Sequence, residues 1–346
     1  MTFKVSQSKV KTWRRCHQAY HFKYVENLRR KKKSRPLQFG TMVHKALERH
    51  FNGDEFTEYF DELRQDVEAM KLFQRERDEF GNILEDCEDI VTDYVDHWEG
   101  YGLRPIRRSG RGAEHEFEIE LLPDVLWEGK IDFIGKTEGK LKVLGEHKTY
   151  TRKPNDDARW RDLQSATYFR AVDILGWPTL DACLWDYIKS KPPAIPGVLK
   201  DGSISTKKID TLPSTLRRVL ASSPESTGNT KPENLKKIES MAENNRDEYF
   251  QRVITPVNST VVEKVFDDFV STVKNLVENH GKQQDMNIDK HCSWCDYESI
   301  CRARLQGMDV DYVKEREFTH GSSKPEQDTT KIHRASVAGP TDKEGS

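Results

Sequence analysis

The feature that most constrains the fold is a change of hydrophobic period near Glu114. From there polar and apolar residues alternate through "EHEFEIEL", "VLWEGKIDFIG" and "KLKVLGEHKTY", which together cover most of residues 114–150. A period of two is typical of half-buried strands, and "TEGK" at 137–140 has the composition of a turn between the last two. This segment therefore predicts a β-meander.

Helical periodicity precedes the meander. Residues 6–25 repeat aromatic side chains at steps of three or four, which places Cys16 on an aromatic helix face. A second helix is predicted over 36–51, "PLQFGTMVHKALERHF", and a long helical stretch follows that breaks near Gly81 and resumes to about Trp98. The first hundred residues are thus expected to be mostly helical.

A helix and a strand follow the meander. Residues 156–176 return to a helical period and stop at Gly176, and "LDACLWDYIKS" at 180–190 is typical of a strand. The expected fold class is α/β, a mixed central sheet flanked by helices. We expect one composite domain with five parts: a helical N-terminal part (1–110), a sheet core (111–190), a mobile insertion rich in Pro, Ser and Thr (191–230), a helical and cysteine-rich segment (231–310) and a disordered tail (311–346).

Composition excludes several classes of protein. The chain of 346 residues is long enough to bury a large core without metal or disulfide staples, although its mean hydropathy is −0.83. No apolar run approaches the roughly 20 residues that a membrane span needs, and the N-terminus lacks the apolar region of a signal peptide. The sequence therefore predicts a soluble, cytoplasmic protein with no membrane partner.

A basic run interrupts an otherwise nearly neutral chain. The net charge is −2, yet "RRKKKSR" at 29–35 is almost entirely basic. Such a run is either a solvated loop or an edge that contacts the phosphates of a nucleic acid. The candidate phosphate-contacting residues are Arg30, Lys31, Lys32 and Lys33.

The last two strands of the meander bring charged residues together. Alternation puts Glu146 and Lys148 on one strand face, and the turn at 137–140 folds Asp132 across from Gly145 or Glu146. Two neighbouring carboxylates repel unless a cation lies between them, and oxygen ligands of this kind suit Mg²⁺ or Mn²⁺. With a lysine beside them they point to phosphodiester hydrolysis, with His147 as a further candidate ligand. The alternative is a cross-strand salt bridge at the sheet edge.

The order of these residues resembles a known family. The pattern D…E-x-K at Asp132, Glu146 and Lys148 resembles the core of the PD-(D/E)XK nuclease superfamily, here with "Ile-Asp" where Pro-Asp is usual. The "GTMVHKALE" helix, the "VSQSKVKTWRRCHQAYHFKYV" opening and a later Gln and Tyr four residues apart resemble its RecB-type branch. The resemblance implies a restriction-endonuclease-like fold, His44 as an additional metal ligand, and Gln164 and Tyr168 as catalytic-site residues beside the core triplet.

Three of the six cysteines form a compact motif. "HCSWCDYESIC" spaces Cys292, Cys295 and Cys301 as C-x2-C-x5-C, which suits a metal or cluster but lacks a fourth ligand. Iron-sulfur members of the RecB-type branch, AddB-like nucleases and CRISPR-associated RecB-like exonucleases, take one cysteine from the N-terminal helix. The resemblance therefore implies that Cys16 completes a [4Fe-4S] cluster. A zinc site is the alternative, in which His17 or His291 could replace a cysteine; Cys87 and Cys183 are expected in the core.

Together these features predict a function. We expect a metal-dependent DNA exonuclease that acts on single-stranded or frayed ends in recombination, repair or phage DNA metabolism, the end preference coming from the resemblance. A structure-selective endonuclease and a non-catalytic iron-sulfur DNA-binding subunit are the alternatives. The sequence has no Walker-type G-x-x-x-x-G-K-[ST] motif, so a helicase partner, if the protein works with one, would be another chain.

Overall fold

A single mixed sheet forms the centre of the molecule. The computed structural model describes residues 2–31, 34–69, 74–153, 155–282, 284–321 and 333–337. The strands are, in chain order, β1 (Phe3–Val5), β2 (Leu28–Arg30), β3 (Arg104–Pro105), β4 (Ala113–Leu122), β5 (Val125–Lys136), β6 (Lys142–Tyr150), β7 (Ala182–Lys189), β8 (Phe250–Pro256), β9 (Phe318–His320) and β10 (His333–Ser336). The expected α/β class, a mixed sheet flanked by helices as in restriction endonucleases, is confirmed.

The helices surround this sheet. They are α1 (Gln7–Arg15), α2 (His17–Tyr20), α3 (Arg35–Asn52), α4 (Phe56–Ala69), α5 (Gln74–Trp98), α6 (Asp156–Trp160), α7 (Leu163–Ile174), α8 (Pro213–Ser222), α9 (Pro224–Asn229), α10 (Pro232–Tyr249), α11 (Ser259–Asn279), α12 (Glu298–Leu305) and α13 (Val310–Glu317). A π-helical turn covers His21–Val25 and a 3₁₀ turn covers Lys290–Trp294. Of the helices in the described ranges, none is long and apolar enough to cross a membrane.

The sheet order follows from the meander. Strands run β10-β4-β5-β6-β7-β8, with β1 and β3 also pairing with β5. The β4-β5-β6 meander is antiparallel, whereas β7 is parallel to β6 because α6 and α7 carry the chain back across the sheet. β10 lies parallel to β4 and covers the outer edge of that strand.

Each face of the sheet has its own hydrophobic core. Leu144, Tyr168 and Phe269 belong to the core that α7 and α11 cover. Phe39, Phe133 and Val143 belong to the core on the other face, which α3, α4 and α5 cover. Leu144 and Val143 are adjacent in β6, so strand alternation divides this strand between the two cores.

A third, smaller core joins the two ends of the chain. Cys16 and Phe22 from the N-terminal segment pack with Tyr297, Ile300 and Phe318 from the C-terminal segment. β2 pairs with β9 in the same region, and the Tyr297 hydroxyl donates to the carbonyl of Leu28 at 3.0 Å. The terminal segments are therefore packed against each other independently of the large sheet.

Several predicted boundaries are wrong. The break near Gly81 does not occur: α5 continues through Gly81, because buried residues such as Ile90 and Tyr94 offset the weak helix propensity of one glycine. The predicted helix over 6–25 is interrupted at Cys16, whose backbone is extended with φ −165° and ψ 118°. Cys16 therefore packs with Phe22 rather than on the face of Trp13 and Tyr20.

Ordered elements also occur where loops and disorder are expected. α8 and α9 lie within 191–230, and Leu212 and Thr215 there are fully buried. β8 divides the predicted helical stretch that begins at 231. α13, β9 and β10 lie within the tail predicted as disordered from 311; the rest of that tail, 322–332 and 338–346, lies outside the described residues. These short elements depend on tertiary partners that local composition does not reveal.

Candidate active site

The β5-β6 hairpin brings the three triplet residues to one place. Phe133 pairs with Gly145, so Asp132 and Glu146 occupy the next opposed positions, where the ladder between the two strands ends. The backbone N–H of His147 donates to Oδ2 of Asp132 at 2.9 Å, so a side chain takes the place of a main-chain acceptor. The hairpin register predicted from the sequence is confirmed. Gly145 is required here, because a Cβ at this position would overlap the ring of Phe133.

The buried Glu146 and the partly exposed Lys148 form an ion pair. Lys148 Nζ lies 2.9 Å from Oε2 of Glu146 and 3.3 Å from Oδ2 of Asp162. Burial acts to lower the pKa of Lys148, but the carboxylates of Glu146 and Asp162 outweigh it and the pKa is raised above its ordinary value. Lys148 is therefore a cation at any physiological pH.

The other oxygen of Glu146 is unsatisfied. Oε2 also accepts from Nε2 of Gln164 at 3.4 Å, whereas Oε1 is buried and has no hydrogen-bond partner among the described residues. The whole side chain is only 1% exposed, and burial raises the pKa of this carboxyl even though Lys148 opposes the shift. A buried carboxylate oxygen without a donor is a ready ligand for a cation.

A second group of ligand atoms lies beside this pair. Single atoms of His44, Glu114 and Asp132 all lie within 4.8 Å of one another. Nδ1 of His44 is 3.8 Å from Oδ2 of Asp132 and 3.9 Å from Oε1 of Glu114. Glu146, predicted as a ligand, is not a member of this compact group, although its charge and that of Asp132 influence each other.

The residues of this group fit a divalent metal ion. Two carboxylates and an imidazole offer the donors that Mg²⁺ and, with its greater tolerance for nitrogen, Mn²⁺ accept. Burial lowers the pKa of His44, which keeps its ring neutral and able to bind a metal. Burial and the charge of Asp132 raise the pKa of Glu114 to about 7, although Lys130 pairs with Glu114 and opposes the shift. The group opens into a cleft of about 540 Å³ that α3 and the meander line.

Glu114 is a site residue that sequence reasoning missed. In the β4-β5 hairpin, Ala113 pairs with Phe133 and His115 pairs with Ile131, so Glu114 lies opposite Asp132. Its φ of 54° is in the left-handed region, a conformation that a non-glycine residue adopts at an energetic cost and that is enriched at functional sites. The hairpin register argument, applied to the first hairpin as well as the second, would have found it.

His147 does not join the ligand group, contrary to its prediction as a metal ligand. Alternation along β6 turns its ring to the face opposite Glu146, where Nδ1 lies 3.2 Å from Oδ2 of Asp186. The ring packs between Phe133 and Phe51, with centroid distances of 4.9 and 5.3 Å. His147 therefore contacts the site through its backbone N–H and through its ring, whose centroid lies 6.0 Å from that of His44 in a T-shaped arrangement.

Gln164 and Tyr168 lie on the helix that covers the site. α7 places both on one face, and the Gln164 side chain reaches Glu146 directly. Tyr168 is buried with its ring edge against Phe117 at 5.7 Å. Burial, followed by the charges of Glu146 and Asp132, raises its pKa, so the hydroxyl stays protonated beside the carboxylates.

Comparison with models of known protein families identifies the family of this chain. A family model described as the PD-(D/E)XK nuclease superfamily matches residues 4–302, nearly the whole chain. This chain belongs to the PD-(D/E)XK nuclease superfamily. Membership indicates a metal-dependent nuclease, a hydrolase that acts on DNA.

Other comparisons add little. A solved structure titled "Crystal structure of SSO0001" is similar at 12% sequence identity, with 77% of this chain and 85% of that chain covered and a TM-score of 0.28. That score is too low to support an argument about function. A search of curated proteins finds none that matches.

The cysteines of the C-terminal motif lie near Cys16 in the folded nuclease. Cys16, Cys292, Cys295 and Cys301 line one cavity of about 220 Å³. None of them is in a disulfide, and Cys16 reaches the cavity from the break between α1 and α2. Cys87 and Cys183 are instead buried in the two large cores, as predicted.

The spacing of the sulfur atoms distinguishes two kinds of site. Thiolates that share one zinc ion at about 2.3 Å lie roughly 4 Å apart, whereas those of a [4Fe-4S] cluster bind different iron atoms and lie farther apart. Among the described residues, no three cysteine sulfurs lie within 4.8 Å of one another. The four cysteines around this cavity are a donor set that an iron-sulfur cluster or, with the sulfurs closer together, a zinc ion can use. His291 also lines the cavity, whereas His17 stacks on Trp13 at 3.9 Å.

Two residues of the basic run form hydrogen bonds with the C-terminal segment. Arg30 Nε donates to the carbonyl of Asp296 at 2.8 Å, and Lys31 Nζ donates to the carbonyl of Glu315 at 2.6 Å. Both residues nevertheless stay exposed enough to contact a phosphate. Lys32 and Lys33 lie outside the described residues.

Proposed function

We propose that this PD-(D/E)XK nuclease is a metal-dependent DNA exonuclease that hydrolyses phosphodiester bonds from single-stranded or frayed ends. Its roles would lie in recombination, repair or phage DNA metabolism, with a helicase or recombination protein as partner. The observation that carries the nuclease proposal is the meeting of Asp132, Glu146 and Lys148 beside His44 and Glu114. The preference for ends rests on the RecB-type resemblance.

Each residue of the site would have a separate role in the hydrolysis. His44, Glu114 and Asp132 would hold Mg²⁺ or Mn²⁺, with Oε1 of Glu146 free to join them. When bound, the metal supplies a positive charge that neutralises the phosphate and lowers the pKa of coordinated water. The backbone N–H of His147 fixes Asp132 in position for this role.

Lys148 is proposed as the catalytic cation. Its contacts with Glu146 and Asp162 hold the ammonium in one orientation, so little rearrangement is needed when a substrate arrives. Nζ can donate to the attacking water or to an oxygen of the phosphate as negative charge develops there. Gln164 donates to the same oxygen of Glu146 as Lys148 does, which helps to fix the carboxylate of the ion pair.

We propose that the four cysteines hold a [4Fe-4S] cluster with a structural role. The supporting observations are the shared cavity and the separation of the sulfur atoms. The ligands come from both ends of the chain, so the cluster would fasten the small terminal core. Hydrolysis needs no electron transfer, and no cysteine is in the group of candidate metal ligands at the active site.

One assay tests the enzymatic proposal. End-labelled linear and closed circular single-stranded DNA are incubated with the protein in Mg²⁺, Mn²⁺ or EDTA. We expect degradation of linear DNA with either metal and none in EDTA, and we expect the circle to survive. Cleavage of the circle would replace the exonuclease with an endonuclease, and intact DNA in both metals would contradict the catalytic proposal itself.

A further inference from the structure

A second cavity lies next to the candidate active site, and its lining includes none of the three candidate metal ligands His44, Glu114 and Asp132. Its volume is about 540 Å³, within the range of roughly 300–1,000 Å³ typical of cavities that hold small molecules. Cys183 and Trp185 of β7 form one wall, and α7 and the start of α11 contribute others. Its largely aliphatic and aromatic lining includes Ala166, Phe169, Cys183, Trp185, Val261 and Val262.

The cavity shares residues with the catalytic ion pair. Asp162 lines it and also holds Lys148 Nζ at 3.3 Å. Lys148 Nζ in turn lies 5.8 Å from the ring centroid of Trp185, which pairs with Glu146 across β6 and β7. The cavity therefore adjoins the ion pair of Glu146 and Lys148 through Asp162 and Trp185.

The polarity of the lining indicates which part of a nucleotide the cavity could bind. Arg159 lines the cavity, but its guanidinium is paired with Asp156, and the carboxylate of Asp162 adds a further negative charge. The remaining lining is mostly apolar, so the cavity disfavours a phosphate, because a buried anion needs donors or an unpaired cation. A nucleobase has apolar faces and a polar edge, and such cavities bind unstacked bases between apolar and aromatic side chains. Ser165 and Asn258 offer polar groups that can contact that edge.

We propose that this cavity receives the nucleobase next to the cleaved phosphate, unstacked from the strand and packed against Trp185 and Phe169. The inference rests on the proposed nuclease function and adds a reason for a preference for unpaired DNA. A base inside a duplex must break its pair to enter the cavity, whereas a base in a single strand or at a frayed end needs only to unstack.

Binding without cleavage tests the proposal. Single-stranded oligonucleotides carrying one 2-aminopurine at successive positions are titrated with the wild-type protein in EDTA. We expect strong quenching at one position, where the base packs against Trp185 and Phe169. Replacing that nucleotide with an abasic residue should weaken binding on the order of tenfold, as expected for the loss of one stacked base.

Two substitutions in the first turn of α11 provide a matched pair. Val261 lines the cavity and is 50% exposed, so Val261→Trp can fill the cavity without overpacking a closed core. The neighbouring Thr260 is exposed and does not line the cavity, so Thr260→Trp is the control. Val261→Trp should bind intact and abasic strands equally, whereas Thr260→Trp should keep the tenfold difference.

The outcomes separate this inference from the proposed function. Position-dependent quenching in a protein that never cleaves DNA would keep the base site and contradict the nuclease. Metal-dependent cleavage by a wild-type protein that binds intact and abasic strands with equal affinity would overturn the base site. The cavity would then have another occupant, such as an apolar side chain of a partner protein. The wild-type comparison alone decides this, even if Val261→Trp fails to fold.

Discussion

The candidate active site and the cysteine region are organised in opposite ways. At the active site, the register of three strands positions Glu114, Asp132 and Glu146, and both faces of the sheet are closed by large cores. The cysteines lie on short segments around a cavity, with a small core behind them and exposed apolar residues such as Trp294 and Met308 nearby.

This difference shows which interactions hold each region in its folded arrangement. The active-site charges are held by backbone pairing that would persist without any ligand, at the cost of burying carboxylates that repel one another. The cysteine region has little apolar burial of its own, so a bound cluster would supply much of its stability. Substitutions should therefore affect activity in the first region and folding in the second.

The largest effect is expected at Glu146. Glu146→Gln keeps the shape of the side chain but removes the charge that pairs with Lys148, so cleavage should fall on the order of a thousandfold or more. DNA binding and the thermal melt should stay close to wild type. The exposed Glu120→Gln on β4 is the matched control. Equal cleavage by the two variants would remove Glu146 from the catalytic group.

The cysteine region should respond in stability. Cys16→Ala removes a ligand that joins the two ends of the chain, and the melting temperature should fall by roughly 5–10 °C, because loss of a long cross-link costs a few kcal/mol. Iron content after anaerobic purification should fall in parallel. The Cys87→Ala variant changes a residue of α5 that lies in a large core, so this variant should keep its iron. A native protein that contains zinc and no iron would refute the cluster.

A smaller effect is expected at His44. His44→Ala removes one of the three ligand atoms and should raise the Mn²⁺ concentration for half-maximal cleavage by about 10–100-fold. The measurement is a metal titration of initial rates. His50→Ala, on the same helix but outside the ligand group, is the control. An unchanged titration curve for His44→Ala would make this histidine a packing residue.

The smallest effect is expected in the basic run. Arg30→Ala with Lys31→Ala should flatten the dependence of log affinity on log salt by about one unit per lost phosphate contact. Because both side chains also bond to C-terminal carbonyls, a modest loss of stability should accompany it. The exposed pair Lys236 and Lys237 on α10, changed to alanine, is the control. Identical salt slopes for both pairs would return the run to a solvated loop.

The sequence predicted what local pattern controls. The alternation of polar and apolar residues and one turn were sufficient to predict the register of β5 and β6. That register in turn brings Asp132, Glu146 and Lys148 together. Cysteine spacing was sufficient to group Cys292, Cys295 and Cys301. His44 and Cys16 came from the resemblance, since nothing local distinguishes either from an ordinary helical residue.

The rest depended on contacts between distant segments. Glu114 needs a left-handed backbone and a strand partner, and neither is visible in a run of alternating glutamates. The position of His147 depends on buried Asp186, which also accepts from Tyr94 and faces Arg252. The cavity lined by α7, the start of α11 and β7 depends on how these elements pack together, which no periodicity encodes.

The pairing of β10 with β4 has a consequence for solubility. β4 is an outer strand of the sheet, and β10 occupies the backbone groups that β4 would otherwise present along its free side. Uncovered strand edges pair with other chains and are a common route to aggregation. A chain shortened to end before His333 would lose this cover, so its concentration-dependent precipitation should increase even where the catalytic residues are untouched.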